Sequence, residues 1–411
     1  MLASPIECSA EPRSVAGPVL VISLHADPTT LVGAPQNGGV TIYVRELARA
    51  LAREGWPVDV VTRRDDPRKR AFETMDGVRI LRIPAGPAQR LPNDAIAEHL
   101  PEALESLREI AAARPYQVVS SHYWLSGYLG DILSGERGVP HVHTLHSLGI
   151  SRPGRDPVTR RRVEIERRLL KRARIVTLGR RDFGIYAEKY GVVPPRLAAI
   201  PAGVDAGRFA PGEARVARRA VGLDETGPWI GYVGRLTREK GIDDLIRAFA
   251  LLRERSDRVG LFVVGGAQRN SRVPELRALA EGLGVAPWVR FLGPIPNKKV
   301  SDAYRAADIV AVPSHYEAFG LVALEARACG IPVVASDVGG LRELVAPESG
   351  GCRVAPGDAR AWADALRDAL DPRELVARAN AAVCADTSAY SWPAIARRIM
   401  EFAAAESVAL A

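Results

Sequence analysis

Cysteine is scarce and scattered: the 411 residues hold four, Cys8, Cys329, Cys352 and Cys384. No C-x-x-C pair occurs, so neither a cysteine-built zinc site nor a disulfide framework is suggested, and a reducing cytoplasm fits best. No apolar run approaches the roughly 18 residues of a membrane span. The opening MLASPIECSAEPRSVAGP lacks the basic start and continuous apolar core of a secretory signal, so residues 1–17 read as a loose leader. Acid is in deficit, with 48 Asp and Glu against 56 Lys and Arg and a net charge of +8. That balance admits an anionic partner such as a nucleotide, nucleic acid or acidic lipid, but the excess is mostly dispersed arginine and selects none of them.

Apolar residues are plentiful at 47% with only 6% aromatic, enough for two buried cores in a chain of this length. From residue 18, short β-branched runs alternate with helical stretches: PVLVISL, PVDVVT, VRILRI, YQVVSSH and PHVHTLH, with VTIYVRELARALAREG between the first two. The rhythm restarts after residue 225 with PWIGYVG, VGLFVVGG, VRFLG, ADIVAVPS and PVVAS. Such alternation predicts two doubly wound parallel-sheet domains of the α/β class. The break falls near residues 201–227, where Pro, Gly and charge displace the apolar rhythm. The expected divisions are 1–17, 18–214, 215–390 and a last segment, 391–411, whose helix crosses back to the first domain. Ligands of such sheets sit beyond the carboxyl ends of the strands, so the site belongs in the cleft between the domains.

Two stretches of the second half carry chemistry. GYVGRLTREKGIDDLIRAFALL reads as a strand, a turn bearing Arg235 and Lys240, and a helix opening near Gly241. Cations at a helix mouth suit a diphosphate, and neither Walker A nor G-x-G-x-x-G occurs there. EAFGLVALEARACG follows the strand ADIVAVPS, with its helix expected from Phe319 or Gly320. Glu317 then lies in the loop and Glu325 more than one turn inside the helix. The N–H groups of Ala318, Phe319, Gly320 and Leu321 suit phosphate or sugar oxygens, and a buried Glu325 suits a ribose diol. A glycosidase acid and base is the competing reading of the two carboxylates, weakened because both come from one loop-helix segment.

In the first half, Asn37, Gly38 and Gly39 stand directly before a helix, after a strand taken to end at His25. The turn is a weak signal alone, but facing a phosphate-binding half it becomes a candidate lid. His122, His141, His143 and His146 cluster without paired carboxylates, so structural roles are expected for His141 and His143, while His146 is placed to point into the cleft. Residues 157–174 form the densest basic segment. Val163, Leu169, Leu170 and Ala173 are expected to share the apolar face of an amphipathic helix, with acceptor contact or a lipid or nucleic-acid surface as alternatives.

Taken together, NGGVTIYVRELARAL, HYWLSG, HTLHSLG, VGRLTREKG and PSHYEAFGLVALEARACGIPVVAS closely resemble the retaining family-4 glycosyltransferases of the GT-B fold. The first half is similar to the branch holding sucrose-phosphate synthases and inositol-phosphate N-acetylglucosaminyltransferases, and to aminocyclitol glycosyltransferases of aminoglycoside antibiotic pathways. The resemblance implies an acceptor-binding first domain and a nucleotide-sugar-binding second domain. It assigns Gly234, Arg235 and Lys240, with Gly38 and Gly39, to the donor diphosphate and Glu325 to the ribose of a UDP-sugar. Glu317 and the N–H groups of Ala318, Phe319, Gly320 and Leu321 would hold the transferred sugar, with His146 near the reacting centre. His146, Arg235, Lys240 and Glu317 are thus the implied catalytic set.

No metal or other cofactor is implied, so Asp65, Asp66, Asp243 and Asp244 read as surface charge. The implied acceptor positions are His25, Thr41, Asn93, Tyr123, Ser147 and Arg162. Thr41 and Asn93 replace the Asn and phosphate-binding Lys of the inositol-phosphate branch, which favours a non-phosphorylated cyclitol, with 2-deoxystreptamine as the specific expectation. Arg90 is a candidate replacement cation. The alternatives are inositol phosphate, a sugar phosphate or a lipid acceptor. Expected partners are therefore small molecules and a second copy of the chain, in the cytoplasm, without nucleic acid or membrane.

Overall fold

The computed structural model describes residues 17–30, 38–151, 156–180, 182–255, 258–266, 272–296, 299–384 and 387–405. The leader up to residue 16 and Asn37 lie outside them. The first sheet comprises β1 (Val19–Ile22), β2 (Val58–Arg63), β3 (Phe72–Met75), β4 (Val78–Ile83), β5 (Val118–His122), β6 (His141–Thr144), β7 (Arg174–Thr177) and β8 (Leu197–Ala199). Their spatial order is β3-β4-β2-β1-β5-β6-β7-β8, parallel except for the edge hairpin β3-β4. The second sheet comprises β9 (Trp229–Val233), β10 (Gly260–Val264), β11 (Val289–Gly293), β12 (Ile309–Val312), β13 (Val333–Ser336) and β14 (Cys352–Val354), in the order β11-β10-β9-β12-β13-β14.

Helices that position the site are α1 (Gly39–Arg53), α2 (Tyr123–Arg137), α3 (Pro157–Arg172), α4 (Ile242–Arg253), α5 (Leu321–Ala328) and α6 (Trp392–Ala404). Helices cover both faces of the sheets, so central strands such as β1, β5 and β10 are buried along their whole length, and β1 and β10 read as apolar runs. Each sheet reverses its winding once, between β1 and β5 in the first and between β9 and β12 in the second. Crevices beyond the carboxyl ends of strands at such reversals are where ligands of this architecture bind.

Some expectations need correction. β1 ends at Ile22, not His25, because the chain turns there: Ser23 Oγ donates to Ala26 O, and Ser126 Oγ accepts from the Leu24 N–H. Strands β3, β7, β8 and β14 went unread, as did the antiparallel edge. The buried side of α3 includes Leu169 and Leu170, with Ala173 just beyond, as expected, but it also takes in two charges. Arg162, Ile165, Glu166, Leu169 and Leu170 are buried, whereas Val163 is only partly so. Arg162 and Glu166 neutralise each other at 2.6 Å, and that lets two charges enter the interior.

Helix α6 follows the second domain and packs on α1 of the first, next to a bridge between Val204 and Ser391. The Trp392 ring lies edge-on to Tyr43 with centroids 5.4 Å apart, and a Cβ at Gly203 would come within 2.6 Å of it. Arg397 pairs with Glu54 at 2.6 Å, and Arg398 donates to the carbonyl of Ala199. Among the described residues no helix is long and apolar enough to cross a membrane. Trp392→Ala is expected to cost about 3–5 kcal/mol, the range for removing a large buried aromatic. Thermal denaturation should register this as a lowered first transition; an unchanged midpoint would mean that α6 does not clamp the domains.

Candidate active site

The loops after β9 and β12 meet at the reversal of the second sheet. Gly241, at φ +66, ends the first of them, and a Cβ there would lie 1.9 Å from the carbonyl oxygen of Pro313, so only glycine permits the approach. This contact brings Lys240 Nζ to 2.7 Å from Glu317 Oε2, which also accepts from Ser314 Oγ at 3.2 Å. Arg235, in the same turn after Gly234, is half-exposed and pairs with Glu239 at 2.8 Å. Helix α5 begins at Leu321, not Phe319, because Gly320 takes φ +104. A side chain at Gly320 would meet Leu341 Cδ2 at 2.6 Å. No side chain caps α5, so its first turn directs backbone N–H groups toward the crevice.

Across the cleft, Gly38 caps α1 and Gly39 begins it. A Cβ at Gly38 would stand 4.0 Å from Arg235 Nε, and one at Gly39 would stand 3.3 Å from Leu321 Cδ1. The glycine turn, Arg235 and the start of α5 are therefore brought together, as the sequence suggested. His146 and Ser147 face Tyr316 and Ala318 across a cavity of about 10 Å³, room for about one water molecule. Phe319 is buried behind this loop. Glu325, one turn deeper in α5, accepts from the Tyr304 hydroxyl at 2.6 Å, and burial pushes its pKa up to about 7.

At the reversal of the first sheet, the His25 and Tyr123 rings lie 4.5 Å apart. Tyr123 Oη accepts from Arg162 Nη1 at 3.1 Å and lies 3.5 Å from Asn93 Nδ2. Arg162 Nη2 also donates to Ser147 O and Oγ at 2.6 and 3.1 Å. Five of the six expected acceptor residues thus form one contiguous group. The sixth, Thr41, is buried on α1 with its hydroxyl unpartnered, and Arg90 is exposed.

The imidazoles are held neutral. Burial lowers His146 well below its ordinary range, His122 to about 3 and His25 to about 4, with neighbouring charges adding to the effect. His122 Nδ1 and His146 Nε2 are 3.1 Å apart, and Ser121 Oγ bridges His141 Nε2 and His143 Nδ1 at 2.7 and 2.8 Å. Among the described residues, positive φ at non-glycine positions occurs at Asp76, Tyr123 and His146. Asp76 belongs to the β3-β4 turn, but the other two lie in the cleft, where backbone strain commonly accompanies function. Among the described residues, no three of His, Cys, Asp and Glu group as a metal site. Asp243 and Asp244 pair with Arg272 and His315, both at 2.6–2.7 Å.

Residues 214–383 match the family described as Glycosyl transferases group 1, and residues 38–203 match the Glycosyl transferase 4-like domain. The D-inositol 3-phosphate glycosyltransferase of Acidothermus cellulolyticus is 38% identical over 379 residues, covering 88% of this chain and 83% of that one. The chain belongs to the group 1 glycosyltransferases. Sucrose-phosphate synthase from Thermosynechococcus elongatus superposes with a TM-score of 0.84 at 34% identity, covering 93% of this chain and 97% of that one. Anabaena HepE, solved with UDP and glucose, superposes at 0.73 and 21% identity over 93% of this chain and 98% of its own, and shares the GT-B fold.

Sequence reasoning missed several supports of this glycosyltransferase site. Glu166 holds Arg162 and also accepts from the Tyr190 hydroxyl and the Gly149 N–H, a role its i,i+4 spacing from Arg162 could have signalled. Tyr304 has no such local signal, because its contact with Glu325 arises only on folding. Removing Arg162 would strand a buried carboxylate, so Arg162→Ala is expected to destabilise the protein by about 3–5 kcal/mol. Arg235→Ala, breaking an exposed pair, should stay within about 0.5 kcal/mol. Chemical denaturation of both variants checks this, and equal losses would contradict the contrast.

Proposed function

We propose that this glycosyltransferase moves a hexosyl unit, N-acetylglucosaminyl or glucosyl, from a UDP-sugar to a hydroxyl of a small cyclitol with retention of anomeric configuration. The observation that carries the reading is the convergence of Arg235, Lys240 and the start of α5 with the Gly38–Gly39 turn, beside the Asn93–Tyr123–Ser147–Arg162 group. The diphosphate would lie among the cations and N–H groups, with the ribose at Glu325 and sugar hydroxyls at Glu317. The C1–phosphate bond breaks as the acceptor oxygen joins C1 on the same face. The acceptor's proton passes to the departing phosphate oxygen, since burial lowers the pKa values of His122 and His146 and makes them poor proton acceptors. Fixed cations stabilise the charge that builds on the phosphate, and the chemistry needs no metal.

A phosphorylated cyclitol is the better supported acceptor. Two of the proteins reported above are named for inositol 3-phosphate and sucrose-phosphate chemistry, and they align over 88% and 93% of this chain. Those names lend no support to 2-deoxystreptamine or an antibiotic pathway. A non-phosphorylated cyclitol remains a second reading on one observation: Asn93 is uncharged, and Arg162 is already neutralised by Glu166.

Crossing UDP-glucose and UDP-N-acetylglucosamine with inositol, inositol phosphate, 2-deoxystreptamine and fructose 6-phosphate, with products read by mass, tests both readings. Turnover of inositol phosphate alone supports the first, and turnover only of unphosphorylated cyclitols supports the second. No transfer to any cyclitol would reject both. With the active pair, Arg235→Ala and Lys240→Ala should each lower kcat on the order of 10²- to 10³-fold, and near-native rates for both would remove the diphosphate assignment.

Glu325 supplies a pH signature. Its raised pKa means that the carboxyl carries a proton below about 7, whereas a ribose hydroxyl donates best to the ionised form. Affinity for UDP-glucose should therefore weaken as pH falls through 7, by up to about tenfold per pH unit. Calorimetry across this range should find that dependence flattened in Glu325→Gln, and an unchanged slope in that variant would place the titration elsewhere.

A further inference from the structure

A second cavity lies on the far side of the first sheet. It has a volume of about 230 Å³ and is lined by the segment from Gly138 to His141, with Asp131, Arg172, Arg174 and Arg196 among its walls. These residues precede or open β6, β7 and β8, so the cavity sits at the amino ends of parallel strands whose carboxyl ends face the active-site cleft.

Its charges are unevenly matched. Asp131 is buried and accepts from Arg168 and Arg172 at 2.6 and 3.1 Å, which neutralises one wall. Among the described residues, Arg174 and Arg196 have no carboxylate partner. Arg174 donates to the carbonyls of Ala403 and Ala405, and Arg196 Nε is buried without a hydrogen bond. Burial, and then the charge of Arg196, lowers the Arg174 pKa, so the two guanidinium groups feel each other. His141, 7% exposed, turns its Nε2 to Ser121 and leaves Nδ1 buried and unpartnered. A Cβ at Gly130 would lie 2.6 Å from His141 Nε2, so that helix fixes the ring.

Two guanidinium groups without a carboxylate partner on one cavity form a receptor for an oxyanion. The volume falls below the range usual for drug-sized or nucleotide ligands. We propose that this cavity binds a small phosphate-class anion, inorganic phosphate or a small phosphate monoester, with Arg196 as the principal ligand, Arg174 assisting and the His141 ring on the wall.

The test is calorimetric titration of inorganic phosphate at constant ionic strength, in the presence of saturating UDP so that the donor diphosphate position is filled. Glycerol phosphate serves as the monoester arm, and sodium chloride as the ionic-strength control. Saturable binding by the wild type, weakened at least tenfold in Arg196→Gln, is expected, with the donor KM of that variant unchanged. The His141 ring signals in nitrogen-edited spectra should shift on titration with phosphate and not with chloride. Arg172→Gln, on the exposed end of α3, provides a second variant if Arg196→Gln folds poorly, and a severalfold loss is expected there. The proposal fails if no saturable binding occurs with UDP present, or if the affinity is the same in wild type and whichever variants fold. It fails equally if chloride moves the His141 signals as phosphate does. Because the readout is phosphate binding away from the cleft, it stands or falls separately from the acceptor assignment.

Discussion

The packing of Trp392 on Tyr43 is the constraint on which the rest depends. Tyr43 lies just inside α1, one turn beyond the Gly38–Gly39 turn, and its ring also meets His146 and His122 at centroid distances of 4.9 and 5.5 Å. One aromatic cluster therefore joins the returning helix α6, the glycine turn and the strained histidine at the cleft. Without that return, two separate sheets would each present carboxyl ends to water. With it, their winding reversals face each other, and residues distant in sequence form one site.

Within that frame, electrostatics divides the cleft. On the second-domain side, Lys240 and Arg235 are satisfied by Glu317 and Glu239, both partly exposed pairs that can rearrange at small cost. On the first-domain side, Arg162 and Glu166 are fully buried, and breaking them is expensive. The second-domain side can thus exchange partners, while the first-domain side holds its shape. Tyr123 and Arg162 present a fixed surface bordered by Asn93, Ser147 and His25.

The legible parts of the sequence were those whose chemistry is local. The turn in VGRLTREKG and the loop in YEAFGLVALE announce themselves because glycine, cations and carboxylates must sit at fixed offsets where a strand meets a helix. Strands such as β1 and β10 are legible because both faces are buried and the residues are nearly all apolar. The three-residue strands LAA and CRV are too short to show a period, and RIVT was absorbed into the basic run preceding it. The hairpin at FETMDGV was readable in principle, since Asp-Gly is a strong turn signal and both residues take positive φ. Least legible were charges that enter the interior, such as Arg162, since a basic residue on an amphipathic helix is ordinarily solvated. The Tyr304–Glu325 contact joins separate helices and has no trace in local spacing.

The central claim is that the leaving diphosphate sits between the domains, at the start of α5 and under the Gly38–Gly39 turn. The most direct measurement is a crystal structure of the protein with UDP. It should find the diphosphate oxygens within hydrogen-bond distance of Arg235 and Lys240, with Lys240 drawn away from Glu317 and the ribose on Glu325. UDP bound elsewhere, or in the cleft with Lys240 still on Glu317 and no contact to Arg235, would contradict it.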